Sequence, residues 1–130
     1  MASADSIEKY RQLVDGLVQR REGVLTQRIR QKGWPQLPQN EQLNAFLSKL
    51  TSEEKEVVVR IARDARDSGF HDTLVFLQEE MDRNELRIVS KGVTLPVSPF
   101  GSEIFWDWLA RVRNTAWPNP VPEEPTEQEQ

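Results

Sequence analysis

Apolar residues recur at three- and four-residue steps near the start of the chain: Ile7, Tyr10, Val14, Leu17, Val18, Val24, Leu25 and Ile29. This period puts one apolar stripe on a 3.6-residue spiral and commits the segment to an amphipathic helix. A helix of that kind needs other elements to cover its stripe, so the fold class follows from it. The spacing predicts one long helix over residues 3–31, ended by Gly33 just past its last turn and by Pro35 beyond. Residues 34–39, with two prolines, read as a loop.

Helical signals continue downstream. Asn40 stands where an N-cap belongs, before a short helix bearing Leu43, Phe46, Leu47 and Leu50. Thr51-Ser52-Glu53-Glu54 fits a capping box that opens a third helix, with Val57, Val58, Ile61, Ala62 and Ala65 as its stripe and Gly69 as its end. A fourth helix is expected over residues 71–84. Its run Leu74-Val75-Phe76-Leu77 is apolar on every side, which predicts a central, buried position.

The period then changes from 3.6 to 2. Leu86, Ile88, Val93, Leu95 and Val97 alternate with polar neighbours around Lys91-Gly92, which reads as a hairpin over residues 86–97 with a two-residue loop. That register sets Ile88 opposite Leu95 and Leu86 opposite Val97, giving one apolar face to pack on helices. A last helix is expected from a Ser102 cap to about Ala116, with Phe105, Trp108, Leu109, Val112 and Ala116 as its main stripe. The expected fold is mainly α, about five helices with one small β-hairpin packed against them, in a single domain over residues 1–117. Residues 118–130 hold Pro, Glu, Gln and Thr with a single Val, too little apolar surface to offset ordering entropy, and read as a disordered acidic tail.

Composition narrows the function classes. The chain has 130 residues, 37% of them hydrophobic, which suits one modest core. It has no cysteine, which excludes disulfides, thiol nucleophiles and thiolate metal sites. No run approaches the ~18 apolar residues of a membrane span. The polar start Met1-Ala2-Ser3-Ala4-Asp5 lacks the basic and apolar regions of a secretory signal, so the expected location is the cytoplasm. Residues 1–40 carry seven Lys/Arg against four acids, while the last thirteen residues carry four Glu and no base. Without the tail the chain is close to neutral, which disfavours a globally basic nucleic-acid binder.

Four constellations bear on function. His71-Asp72, with Glu79 two turns on, is the one place where acid–base chemistry could centre on a histidine, although a cap at a helix start would produce the same pair. Arg21 and Arg28 fall inside the apolar stripe of the first helix, with Lys32 continuing the line. They call for solvent at an overshooting helix end, for an internal acid such as Asp72, Glu79 or Asp107, or for an anionic partner or nucleic acid. Trp106, Ala110, Arg113 and Trp117 form a second stripe on the last helix, of the residue types that dominate binding hot spots, unless the first helix covers it. Gly16 and Gly23, seven apart, would let two copies of the first helix approach in a homodimer. One histidine and no cysteine leave no transition-metal site, and no nucleotide-, EF-hand- or hydrolase-type motif occurs, so neither metal nor cofactor is expected.

Ser68-Gly69-Phe70-His71-Asp72 through Leu77, Val93 through Phe100-Gly101, and Phe105-Trp106-Asp107-Trp108 together resemble a family of small uncharacterised bacterial proteins, over residues 45–113. The resemblance implies a bacterial cytosolic origin and no activity, and it assigns no functional residue. The leading expectation is a non-enzymatic interaction or regulatory protein, of adaptor or immunity type, binding another protein or itself through Trp106, Arg113 and Trp117. The alternatives are a small enzyme centred on His71 with Asp72 or Glu79, and an anion or nucleic-acid binder through Arg21, Arg28 and Lys32.

Overall fold

The computed structural model describes residues 2–122. It is mainly helical, with one two-stranded antiparallel hairpin, as the periodicities predict. In chain order the elements are α1 (Ala4–Gln19), α2 (Val24–Gln27), a π-helical turn (Arg28–Lys32), a 3-10 turn (Pro38–Asn40), α3 (Glu41–Ser48), α4 (Ser52–Arg83), β1 (Val89–Ser90), β2 (Val93–Thr94) and α5 (Ile104–Val112). They fall in two compact units. One joins the chain up to Gln19 with the chain from His71 onward, and the other is Arg20–Phe70.

The first unit is built on the packing of α1 against α5. Ile7, Tyr10 and Val14 of α1 and Ile104 and Trp108 of α5 are buried, with Leu74, Met81, Leu95 and Phe100. Ser3 caps α1, its Oγ accepting the Ser6 N–H at 3.1 Å. The first turn of α5 is served from α4: buried Gln78 accepts the Ile104 N–H at 2.9 Å through Oε1 and donates through Nε2 to Ser98 Oγ at 3.1 Å. Ser102 is therefore not the cap expected of it. Its hydroxyl donates instead to Asp107 Oδ1 at 2.5 Å, and Glu103 holds the N-cap position without a side-chain bond. Nor does α5 reach Ala116. Asn114 takes a left-handed φ of 60° and the Thr115 N–H turns back to the Ala110 carbonyl at 2.9 Å, a Schellman end that stops the helix at Val112.

The hairpin has the expected register. Val89 pairs with Thr94 and Ser90 with Val93, and the Leu95 N–H donates to the Ile88 carbonyl at 2.8 Å. Lys91 and Gly92 both have positive φ, 50° and 78°, the signature of a type I′ turn. The ladder is shorter than residues 86–97, since Pro96 has no N–H to donate. Beyond α5, residues 118–122 have no regular structure, although the Val121 N–H donates to the Pro99 carbonyl at 2.9 Å. The rest of the acidic tail, residues 123–130, lies outside the described residues.

In the second unit, Ile29, Leu47 and Val59 form a core joined by Leu25, Trp34, Leu50, Val58 and Ala62. The long first helix of the sequence reading does not survive here. The chain leaves helical geometry over residues 20–23, where Arg66 Nη2 donates to the Arg20 carbonyl at 2.6 Å, Arg63 pairs with Glu22 at 2.9 Å, and Arg21 grips Asp67 through two bonds of 2.8 and 2.6 Å. A Cβ on Gly23 would stand 2.4 Å from the Arg66 guanidinium, so a side chain here would push that flexible group aside. Gly16 and Gly23 consequently do not share a helix, and the helix-to-helix contact imagined for them loses its geometric basis. The Thr51 capping box forms as expected, with reciprocal bonds of 2.9 and 3.1 Å to Glu54. Asn40 holds the N-cap position of α3, but its side chain donates to the Pro35 carbonyl rather than capping.

Gly69 does not end a helix. The third and fourth predicted helices are one, because no proline follows and an interior glycine costs only about 1 kcal/mol against alanine. The stripe of α4 is also turned from the one expected: Val58, Val59 and Ala62 face the core, while Val57 and Ile61 are exposed. Further along, Leu74 is buried but Phe76 is 58% exposed, so the apolar run 74–77 is not enclosed on every side.

The polar centre of the first unit gives a pH-dependent expectation. Buried Tyr10 donates its hydroxyl to Asp107 Oδ2, and Ser102 donates to Oδ1. Burial pushes the Asp107 carboxyl above its ordinary value; the hydrogen bonds from Ser102 and Tyr10 pull it down, and the Glu103 charge adds to the rise. Burial, with Asp107 as acceptor, also raises the Tyr10 phenol. An acid whose folded pKa is raised favours the folded state below the unfolded pKa, near 4, and loses that contribution as pH rises through the folded value. Urea unfolding of wild type and Asp107→Asn should therefore show the wild type losing ground to the variant as pH rises above about 4. Parallel pH profiles would refute a buried, proton-favouring Asp107.

Candidate functional site

The phase of α5 decides what the first unit presents. Ile104, Asp107 and Trp108 turn inward, so Trp106, about 100° from Asp107 and 200° from Ile104 and Trp108 on the helical wheel, turns outward and is 54% exposed. Its ring centroid lies 5.7 Å from that of Phe105. Phe105 in turn meets His71 of α4 edge-on at 5.3 Å. The His71 side chain is 45% exposed, and its Nδ1 lies 3.5 Å from Oδ1 of Asp72, itself 83% exposed. His71, Phe105 and Trp106 thus make a continuous run of three rings, with the Asp72 carboxylate beside the imidazole.

The arrangement is a poor acid–base centre. His71 is in the middle of α4, not at a helix start, so capping does not account for its Asp72 neighbour. Glu79 is exposed and eight residues on, about 12 Å along the helix axis, beyond reach of the imidazole. The groove of about 920 Å³ in this unit is walled by the hairpin, the start of α1 and residues 120–122, and does not include His71. No group of three or more His, Cys, Asp or Glu side chains able to hold a metal occurs among the described residues. What the ring run offers is exposed aromatic surface with fixed geometry.

Trp106 and Trp117, one stripe in the sequence, separate in the structure because α5 ends at Val112. Trp117 folds back and is half-buried, its rings near Phe100 at 5.0 Å and Tyr10 at 6.3 Å. Its indole N–H donates to Asp15 Oδ2 at 3.1 Å, Arg111 donates to Asp15 Oδ1 at 2.7 Å, and the Arg111 guanidinium lies 5.2 Å over the Trp117 ring. Arg113 is exposed at the C-cap position of α5. The sequence reading missed Phe105 and Asp15: Phe105 was counted as core, and no local pattern links Asp15 to residues ninety-six and more positions away.

The cations of the other unit also divide. Arg21 is internally paired, with Asp67 rather than with Asp72, Glu79 or Asp107, and that pairing with a hydrogen-bonded carboxylate raises its pKa. Arg28 has no carboxylate partner among the described residues; its guanidinium lies 5.9 Å over Trp34. The side chain of Lys32 lies outside what is described. No helix among the described residues is long and apolar enough to cross a membrane.

Comparison with known proteins yields one finding. The model of a family of unknown function (DUF6547) matches residues 3–119. No curated protein and no solved structure matches significantly.

The division of the tryptophans has a measurable consequence. Trp108 is 1% exposed, and its truncation to Ala should cost roughly 3–5 kcal/mol. Trp106→Ala removes a half-exposed ring and should cost about 1 kcal/mol or less. Urea unfolding of both variants checks the contrast; equal losses would mean that Trp106 is core.

Proposed function

We propose that this chain, which belongs to that family of unknown function, is a non-enzymatic protein–protein interaction or regulatory protein of the bacterial cytoplasm, an adaptor or immunity-type module that docks a partner through the surface centred on Trp106. The observation that carries this reading is the exposure of the Trp106 ring in line with Phe105 and His71. A half-exposed tryptophan backed by a second aromatic supplies large contact area at low entropic cost and is the residue type most enriched in hot spots. Asp72, 3.5 Å from His71, supplies a polar edge to the run of rings. The absence of cysteine is consistent with a reducing compartment.

The reading predicts a specific loss. Tagged full-length protein and its Trp106→Ala variant are used to capture partners from host cytosol. Any partner is then purified and titrated against both, while sedimentation of the wild type tests self-association. Trp106→Ala should weaken the interaction by ~2 kcal/mol or more, about thirtyfold, with little change in thermal midpoint. A monomeric wild type together with partners retained equally by the variant would overturn the reading.

A further inference from the structure

We propose that the cavity between the π-helical turn and the start of α4, in the Arg20–Phe70 unit, binds a small phosphate-bearing molecule. The cavity has a volume of about 240 Å³, and its polar wall is formed by Arg28, Gln31, Gln36, Asn44, Ser48 and Lys55. No carboxylate lines it among the described residues. Ile29 and Leu47, both core residues, form its floor. The site is independent of the Trp106 surface and of the function proposed for it.

The cavity brings two uncompensated cations to one wall. Arg20–Phe70 carries ten Lys/Arg against seven Asp/Glu. Arg21, Arg30 and Arg63 each hold an acid: Asp67, Glu56 and Glu22. Arg28 holds none among the described residues, and Lys55 makes only a 3.5 Å contact with the Arg30 carbonyl. Both cations that line the cavity are thus without a carboxylate among the described residues, as are Arg20, Lys49, Arg60 and Arg66 elsewhere in the unit. Two cations match a dianion better than a single carboxylate, and a phosphate monoester carries a charge of about −1.5 to −2 at neutral pH. The planar Arg28 fork and the Lys55 point charge are the usual complement for phosphoryl oxygens. The three amides and the Ser48 hydroxyl add donors and acceptors for the remainder of a small ligand. The volume equals about eight waters at roughly 30 Å³ each, room for a phosphate and a short body.

The wall is pre-formed. Over Arg28–Lys32 the helix widens to a π turn, closed by the Gly33 N–H on the Arg28 carbonyl at 2.7 Å. Gly33 has a φ of +67°, and a Cβ there would stand 2.8 Å from Asn44 Oδ1. That oxygen accepts the Trp34 N–H at 2.8 Å, while Asn44 Nδ2 donates to the Trp34 carbonyl at 3.0 Å. Asn44 so fixes the chain turn beside Arg28, and Trp34 supports the guanidinium from one face. An arginine held this way loses little freedom when it takes up an anion.

The test is an amide-shift titration of the full-length, nitrogen-15-labelled protein with inorganic phosphate at pH 7.5. Sodium acetate and sodium chloride at matched ionic strength form parallel arms. Phosphate should give saturable shifts at Gly33 and Trp34 and at the side-chain amides of Gln31 and Gln36. Arg28→Gln and Lys55→Gln should each weaken binding about tenfold, the loss of one charge-assisted hydrogen bond, with the rest of the spectrum preserved. Lowering the pH to about 5 should weaken binding, since inorganic phosphate is then a monoanion. Shifts of equal size with chloride, acetate binding as tight as phosphate, or undiminished binding in both variants would each overturn the assignment. Should one variant fail to fold, the other and the wild-type anion comparison decide the question.

Discussion

The contact between Tyr10 and Asp107 fixes the first unit. It joins residues ninety-seven positions apart, sits between α1 and α5, and is buried with Val14, Ile104 and Trp108 around it. A carboxylate in that setting is tolerated only because two hydroxyls, from Tyr10 and Ser102, occupy its oxygens. The same bond sets the rotation of α5. With Asp107 held inward, Ile104 and Trp108 follow it into the core and Trp106 can only turn out. The exposed ring run is therefore a consequence of a buried polar bond, and an apolar residue at position 107 would leave that rotation less sharply specified.

Charge is handled differently in the second unit. The corner at residues 20–23 is surrounded by Arg63, Arg66 and Asp67 of α4, which satisfy a carbonyl, an acid and a guanidinium of the corner. Partly exposed pairs of this kind contribute about 0–1 kcal/mol each, so their effect is geometric more than energetic. They give the chain somewhere to leave helical geometry without orphaning its last carbonyls. Glycine at position 23 then admits the Arg66 guanidinium. Arg28, in the π-helical turn that follows the corner, has no acid among the described residues, and the Trp34 ring is what supports it.

Local rules recovered local features. The type I′ hairpin and the Thr51–Glu54 box depend on residues within a few positions of one another, and both were legible. Helix boundaries were not, because they are decided by distant partners. The break after Gln19 depends on side chains over forty positions away, and nothing in the periodicity of Ile7 to Ile29 announces it. Arg21 meets its acid, Asp67, at this corner, a pairing that a continuous first helix does not suggest. At Gly69 the opposite error arose: a residue that ends helices when a proline or a left-handed turn follows is carried through when neither does. The candidate site was half legible. Trp106 was named, but its alignment with Trp117 assumed a helix four residues longer than the Schellman turn at Asn114 allows.

The contrast between those two tryptophans is the strongest argument that the exposed one has a purpose. The fold disposes of Trp117 thoroughly: its N–H has a carboxylate, its face has an arginine, and its edge has Phe100 and Tyr10. A chain able to assemble Asp15 and Arg111 around one indole has the means to bury a second. At Trp106 it instead places the ring on a helix whose inward positions are filled by Ile104, Asp107 and Trp108, and backs it with Phe105 and His71. Large exposed aromatics carry a solubility cost, and a single one is ordinary; three adjoining rings of fixed geometry with a polar edge are not. Under the proposed function, burial against a partner would resolve that cost in the way the Trp117 pocket resolves it internally, and the direction of α5 leaves the Trp106 ring exposed.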